Sequence, residues 1–409
     1  MTPLCRHCAA PMPRLFLDLG HAPPSNAYLS AEALNAPELT FPLRLRVCDA
    51  CHLVQTEDFA EADKLFARDY AYFSSTSKSW LDHSARYAAM VSERFGLSEK
   101  SFVIEVASND GYLLRNFLAS GVPCLGIEPT ASTAEAAEAL GIPVLREFFG
   151  AELGRKLNAE GRSADLIIGN NVYAHVPDIN DFTLGLANVL KPQGVITLEF
   201  PHLMQLVEHC QFDTVYHEHF SYLSLVSVSR IFARAGLRIF DVEELTTHGG
   251  SLRVYGCLEG AGHAASPRVS DMLAQERARG MESAAYYEGF QARAEAVKNG
   301  LLRFLLDARR DGRKVAGYGA AAKGNTLLNF AGVKPDLLPF ICDAAPSKQG
   351  KLMPGSHIPI LPPEALSQQP PDYVLILPWN IASEVKSQLA PLAAQGVKFV
   401  TAVPEVRIG

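Results

Sequence analysis

No uninterrupted apolar run in the 409 residues approaches the roughly 18 residues of a membrane span. The first residues, MTPLCRHCAAPMP, lack a basic region followed by an apolar stretch, so no secretion signal is read and a cytoplasmic protein is expected. There is no basic surplus. The net charge is −7, which argues against a nucleic-acid binder. The dinucleotide fingerprint G-x-G-x-x-G is missing, and so are low-complexity linkers and long-period repeats. What remains is an ordinary globular composition, 48% hydrophobic and 20% charged, long enough for two to three domains that need no disulfide staples.

Eight cysteines are present, and four of them pair closely: Cys5 with Cys8, and Cys48 with Cys51. In a reducing compartment, two C-x-x-C pairs read as a metal site rather than disulfides. The spacing predicts two zinc knuckles completing one tetrahedral structural site. Four thiolates leave no open position for catalysis. His7 and His52 lie within the knuckles but are not needed as ligands. The gap between the pairs is long, so a loop must bulge from this module, which is expected over residues 1–60.

Residues 61–99 read as a helical connector interrupted by DYAYFSSTS. The pattern then changes. SFVIEVA, VPCLGIEP, IPVL, ADLIIGNNV and VITLEFP are apolar, β-branched runs that alternate with helical stretches, one of them DFTLGLANVLKPQG. Such alternation predicts an α/β, doubly wound Rossmann-like core over residues 100–258. Residues 259–409 begin with a helical run over 266–310. They continue with strand, Gly-rich turn and helix in KVAGYGAAAKGNTLLNFAG, then DYVLILPWN and VKFVTAVPEV. A second, smaller Rossmann-like lobe is therefore expected.

Ligands of open α/β sheets sit at the carboxyl ends of the strands. There, EVASNDGYLL offers Glu105, Ala107, Asn109, Asp110 and Gly111, and Glu128 ends the next strand. With one glycine, a pyrophosphate cradle is poorly supported. A tight turn followed by an acid placed for ribose hydroxyls suits an adenosyl ligand such as S-adenosylmethionine, which carries no phosphates. Asn170 and Asn171, at the end of ADLIIGNN, join the candidates.

VYHEHFSY follows VITLEFP and falls near the same end of the sheet. A metal reading fails because H-E-x-x-H would need a histidine where Ser221 stands. Two readings remain, a solvated or hydrogen-bonded loop and acid–base chemistry; the clustering of titratable residues and their place near the end of the sheet favour the second, since histidine titrates near neutrality. The residues alone do not say which histidine acts. THGGSLRVYG carries Arg253, readable as a core-edge charge or as a phosphate contact. GYGAAAKGN combines a tight turn, a helix start, Lys323 and Asn325, a plausible anion site, and Lys348 is a weaker candidate.

In their order, CRHC with CDAC, DYAYFSSTS, EVASNDGYLL, GIEP, NNVYAHVPD, VYHEHFSYLS, THGGSLR and GYGAAAKGNTLLN resemble the bacterial C-methyltransferases of nucleotide-linked 4-keto-deoxysugars. The resemblance covers nearly the whole chain. It implies a zinc-binding N-terminal domain, an S-adenosylmethionine-dependent core and a C-terminal domain holding a nucleotide sugar, with thymidine diphosphate the expected carrier. It places the base on His219 and puts His175, Tyr216, Glu218 and Tyr70 around the reacting ketone. Asn171 and Tyr222 would line the sugar, and Lys323 and Asn325 the diphosphate. A departure from the commonest glycine pattern, at Ala107 and Asn109, is shared by that family. The competing reading is an NAD(P)-dependent nucleotide-sugar oxidoreductase or epimerase, suggested by the two Rossmann-like lobes.

Overall fold

The computed structural model describes residues 2–59, 73–76 and 78–409. Tyr70 and the first part of the expected connector, residues 61–72, lie outside these residues. Among the described residues, no helix is long and apolar enough to cross a membrane.

The N-terminal module is an antiparallel ribbon of β1 (Arg14–Ala22), β2 (Phe41–Val47) and β3 (Val54–Thr56). Its inner face, Phe16, Leu43, Leu45 and Val54 among others, is buried. After helix α1 (Lys78–Phe95) come β4 (Val103–Val106), β5 (Cys124–Ile127), β6 (Val144–Leu145), β7 (Ala164–Asn170) and β8 (Leu190–Pro201). All five pair in parallel. β9 (Ser221–Tyr222) then leaves this sheet and pairs with β3, becoming the fourth strand of the N-terminal module. β10 (Leu237–Leu245) and β11 (Ser251–Leu258) return to the core and complete the order β10-β11-β8-β7-β4-β5-β6, with β11 antiparallel to both neighbours. The order reverses between β5 and β7, on either side of β4. The ligand crevice of such a sheet therefore opens at the carboxyl end of β4.

The helix expected to run through KPQG stops at Val189. Pro192 disfavours helical geometry at Lys191, and the chain enters β8 early. The helical run over 266–310 is two helices, Pro267–Ala278 and α2 (Phe290–Arg310). They are separated at Gly280 and Gly289, both in left-handed geometry.

The C-terminal lobe contains β12 (Val315–Tyr318), helix α3 (Ala322–Ala331), β13 (Ile341–Cys342), β14 (Ile360–Leu361), β15 (Tyr373–Ile376), β16 (Lys398–Thr401) and β17 (Arg407–Ile408). They form a six-stranded sheet, parallel except for β17. One apolar cluster joins this lobe, α2, the ribbon's inner face and residues 203–222 of the core chain. Phe16 of β1 packs on Phe290 of α2 at 4.7 Å between ring centroids. The excursion that carries VYHEHFSY is thus buried between the N-terminal ribbon and the C-terminal lobe.

Candidate active site and zinc centre

The turn after β4 is built from unusual backbone. Ala107 (φ 56°), Asn109 (φ 49°) and Gly111 (φ 77°) are left-handed. A side chain on Gly111 would stand 2.5 Å from Ile142, so glycine is required there by both geometry and space. Glu128 reaches back from the end of β5: its two oxygens accept the main-chain N–H of Asn109 (3.0 Å) and of Thr130 (2.8 Å). Residues of the connector cap the turn, with the N–H of Ser74 donating to Asn109 Oδ1 and that of Ser75 to Asp110 Oδ2, both at 3.0 Å. Burial raises the Glu105 carboxyl well above its ordinary range, partly opposed by a hydrogen bond from Tyr112 and reinforced by Asp110 and Glu128.

The buried amide of Asn170 and Oδ1 of Asp110 have no partner among the described residues. Buried polar atoms of this kind normally find one, so they mark where a ligand belongs. The turn from 105 to 111 holds acids and amides and no basic side chain. That set suits the ammonium, sulfonium and ribose hydroxyls of S-adenosylmethionine and would repel a pyrophosphate.

Next along the edge of the sheet is a cluster of rings. His219 lies 3.9 Å from the ring of Tyr216, 4.5 Å from that of His175 and 6.0 Å from that of Tyr222, centroid to centroid. Its Nδ1 is 3.1 Å from the carbonyl of Thr214. A carbonyl only accepts, so Nδ1 carries the proton and the lone pair is on Nε2. Burial, with His175 adjoining, holds the His219 imidazole well below its ordinary pKa. Burial likewise lowers His175 to about 4. The segment is held by main-chain bonds from two sides: Phe220 N–H donates to Ala174 O (2.8 Å), and Thr56 N–H of β3 donates to Phe220 O (3.1 Å).

Glu218 is buried, and both of its oxygens lie 2.9 Å from Nδ2 of Asn26. Asn26 belongs to the loop between β1 and β2, the expected bulge of the zinc module. His217 turns away, its Nε2 3.3 Å from the carbonyl of Phe41 in β2. It serves the docking of the ribbon, which explains why no chemistry could be assigned to it.

Asn171 is left-handed (φ 54°), and its Nδ2 donates to Nε2 of His248 at 3.0 Å. His248 sits in the loop before β11, in contact with Trp80 of α1 (5.4 Å between centroids). Lys323, at the start of α3, is half-buried against the ring of Trp379 (4.8 Å) and donates to Asn380 Oδ1 at 2.6 Å. Burial lowers its pKa, with Asp213 opposing. Asp213 accepts from Trp379 Nε1 at 2.7 Å, and burial pushes its carboxyl up to about 6. Asn325 is fully buried in the same helix. Lys348 donates to the carbonyl of Ala320, in the Gly-rich turn, at 2.9 Å.

Arg253 has a different place from the phosphate contact considered for it. It is 3% exposed and bonds Glu199 at 2.8 Å and Glu243 at 3.2 Å, over the ring of Tyr87. Its charge is already paired, so it is a core-edge charge. Asn26, His248, Asp213 and Trp379 were not singled out from the sequence. HAPPSNAY and THGGSLR were noticed as segments, but nothing local shows that their side chains reach the site.

The four cysteines converge, with all sulfurs within 4.8 Å of one another. Cys5 Sγ is 3.4 Å from Cys51 Sγ, and Cys8 Sγ is 3.5 Å from Cys48 Sγ. Zn–S bonds of about 2.3 Å in a tetrahedron need sulfurs about 3.8 Å apart, so the cluster fits zinc. The knuckles share one backbone pattern. Cys5 N–H bonds Ala10 O and Ala9 N–H bonds Cys5 O; Cys48 N–H bonds Leu53 O and His52 N–H bonds Cys48 O, all at 2.9 Å. Ala9 and His52 are both left-handed. His7 Nδ1 is instead 2.8 Å from Asn180 Oδ1, docking the knuckle on the core.

Three family models match in succession: a zinc binding domain over residues 5–66, a methyltransferase domain over 79–242 and a C-methyltransferase C-terminal domain over 246–404. The C-methyltransferase NovU of Streptomyces niveus is 35% identical over 404 residues, covering 99% of this chain and 96% of that protein. This chain belongs to the C-methyltransferase family. It is an S-adenosylmethionine-dependent C-methyltransferase with a zinc-binding module. Among solved structures, magnesium protoporphyrin IX methyltransferase from Synechocystis PCC 6803, with bound SAH, is 13% identical and covers 43% of this chain and 82% of its own, at TM-score 0.35. The 1,6-didemethyltoxoflavin-N1-methyltransferase of Burkholderia thailandensis is 14% identical over 52% of this chain and 98% of its own, at TM-score 0.37.

Proposed function

We propose that this C-methyltransferase acts on a nucleotide-diphospho 4-keto-deoxysugar, at a carbon beside the ketone, by removal of the α-proton and methylation of the resulting enolate. The observation that carries the reading is His219, a neutral imidazole with its lone pair on Nε2, packed between His175 and Tyr216 at the carboxyl end of the sheet. C-methylation beside a ketone needs a base for the α-proton and polar groups where the enolate oxygen develops charge.

In this reading, bound S-adenosylmethionine supplies an electrophilic methyl group on a sulfonium. Glu105, Ala107, Asn109, Asp110, Gly111, Glu128 and Asn170 surround it. Nε2 of His219 takes the α-proton, and the C–H electrons pass into the enolate. Tyr216 and His175 stand by the ketone oxygen, and Glu218 orients the sugar or the imidazole. Burial makes His219 a reluctant cation, which keeps it unprotonated at neutral pH. The imidazolium formed on proton transfer is offset by the enolate charge beside it. Asn171 and Tyr222 line the sugar, and Tyr70, outside the described residues, is assigned to the ketone end of the site on the resemblance alone. Lys323 and Asn325, at the start of α3 in a second lobe, supply the diphosphate contacts. The domain limits that go with this reading are 1–60, 61–99, 100–258 and 259–409.

The test is α-proton exchange. A TDP-4-keto-6-deoxyhexose incubated in heavy water with the enzyme, without cofactor, should gain deuterium beside the ketone. His219→Gln should abolish that gain while isothermal titration shows unchanged S-adenosylmethionine binding. Normal exchange and methylation by His219→Gln would remove His219 as the base. Absence of exchange and methylation by the wild type, with S-adenosylmethionine bound, would remove the sugar-nucleotide reading.

A further inference from the structure

The loop between β1 and β2 has more contacts than a connection within a zinc module needs. The chain leaves β1 at Ala22, and at Asn26 it meets Glu218, whose two oxygens are equidistant from Nδ2 at 2.9 Å. Two residues later the hydroxyl of Tyr28 donates to the carbonyl of Ala320 at 2.6 Å. Leu29 and Leu352 then exchange main-chain hydrogen bonds, at 3.0 and 2.8 Å. Near the start of β2, Glu38 accepts from the N–H of Gly355 at 2.7 Å and pairs with His357 at 2.8 Å. The loop is therefore fastened to the C-terminal lobe at three points, Tyr28, Leu29 and Glu38, and presents Asn26 to the base motif.

We propose that Asn26 is a positioning residue for methyl transfer, acting through Glu218; this rests on the reading of Glu218 as part of the sugar site. Glu218 sits next to His219 in the chain, and its main chain interacts with the imidazole of His175. A shift of this buried carboxylate would be passed to the main chain that both rings lean on. The Asn26 amide resists such a shift by donating to both carboxylate oxygens at once, which fixes the plane of the carboxylate. Thr56, from β3 of the same module, holds the main chain of the motif through Phe220 O. The N-terminal ribbon thus fixes the backbone of the base motif, and Asn26 fixes a side chain within it.

Two variants of the full-length enzyme test this. Asn26→Ala removes the donor. Asn26→Asp keeps the volume and sets acceptor against acceptor, which covers the case in which alanine disturbs the loop. Each is assayed for deuterium exchange into a TDP-4-keto-6-deoxyhexose, for kcat and KM in methylation, for S-adenosylmethionine affinity and for zinc content. Misplacing a reacting group by about 1 Å costs about a hundredfold in rate. Exchange and kcat should therefore fall by about tenfold to a hundredfold in both variants. S-adenosylmethionine affinity should stay within about twofold, because among the described residues no hydrogen bond or ion pair joins its turn to this loop, and zinc content should be unchanged. Exchange within about twofold of wild type in both variants would overturn the inference. So would a parallel fall in cofactor affinity or zinc content, which would make Asn26 a general structural support. A wild type that catalyses no exchange would instead remove the reading of the site itself.

Discussion

Arg253→Met should unfold the core before it affects sugar binding. Glu199 is completely buried, and burial alone would raise its pKa. Hydrogen bonds from His83 and Thr247 and the Arg253 guanidinium overcome this and hold it at about 2 against an ordinary 4.5. A shift of that size corresponds to about 3 kcal/mol favouring the charged form. Removing one partner of a buried pair typically costs about 3–5 kcal/mol, because the other charge is left unpaired. Methionine keeps the packing over Tyr87, so the loss should be close to the lower value, about 3 kcal/mol. For a domain of this size that is a fall of about 6–12 °C in the core transition, measurable by scanning calorimetry. Adding Glu199→Gln should restore part of it, since the buried charge is then gone. KM for the nucleotide sugar should change little at a temperature where the variant is folded. A variant that melts within about 2 °C of wild type while its KM rises severalfold would refute the argument and return Arg253 to the phosphate.

Acid should weaken the fold through the buried histidines. His175 and His248 each have a folded pKa of about 4, set mainly by burial, against an ordinary 6.5. The folded state binds fewer protons than the unfolded one in this window, so the contribution is present above pH 6.5 and is lost as pH falls through 4. The urea midpoint should drop over that range by the equivalent of about 3 kcal/mol per histidine, and His175→Asn should flatten the slope; an unchanged slope would show that His175 is solvated. Zinc removal should separate the two halves of the chemistry. Chelation, or Cys48→Ser, should unfold the ribbon, because structural zinc supplies roughly 10 kcal/mol or more of binding free energy to such modules. S-adenosylmethionine should still bind in calorimetry, while α-proton exchange collapses because β3 no longer holds β9. Wild-type exchange by the zinc-free protein would contradict the role given to the ribbon.

The five parallel strands were legible because strands buried on both faces read as short continuous apolar runs. Segments such as ADLIIGNN need no partner to be recognised, and the C-x-x-C pairs carry their meaning in their spacing. The β10–β11 hairpin was not read. Its strands alternate Arg, Asp and Glu with apolar residues, and three of those charges, Arg253, Glu243 and Asp241, are paired inside the fold rather than exposed. VYHEHFSY could be placed after β8 from the strand pattern alone. Its pairing with β3 joins residues more than 160 apart in the chain, and no local periodicity encodes it. Asn26, His248 and the Asp213–Trp379 pair were invisible for the same reason. Each acquires its function only when another segment arrives beside it.

One local signal could have pointed to the site had the backbone been readable from the sequence. Among the described residues, eight non-glycine residues have left-handed backbone. Ala9 and His52 close the zinc knuckles. Ala107, Asn109, Asn171 and His248 all lie at the carboxyl end of the core sheet, in three different loops. Each such residue costs of the order of 1–3 kcal/mol and persists only where its surroundings over-determine it. Here those surroundings are visible: Glu128 holds the N–H of Asn109, the carbonyl of Glu199 holds the N–H of Asn171, and Asn171 and His248 hold each other. The strain is therefore spread over the turn expected for the cofactor and the loops expected for the sugar, and each is sustained by its own bonds. Ala107 departs from the commoner glycine at a position where glycine would adopt this geometry without strain. An alanine there makes the turn stiffer at a cost in stability, which is the trade expected of a site whose geometry must be set before its ligands arrive.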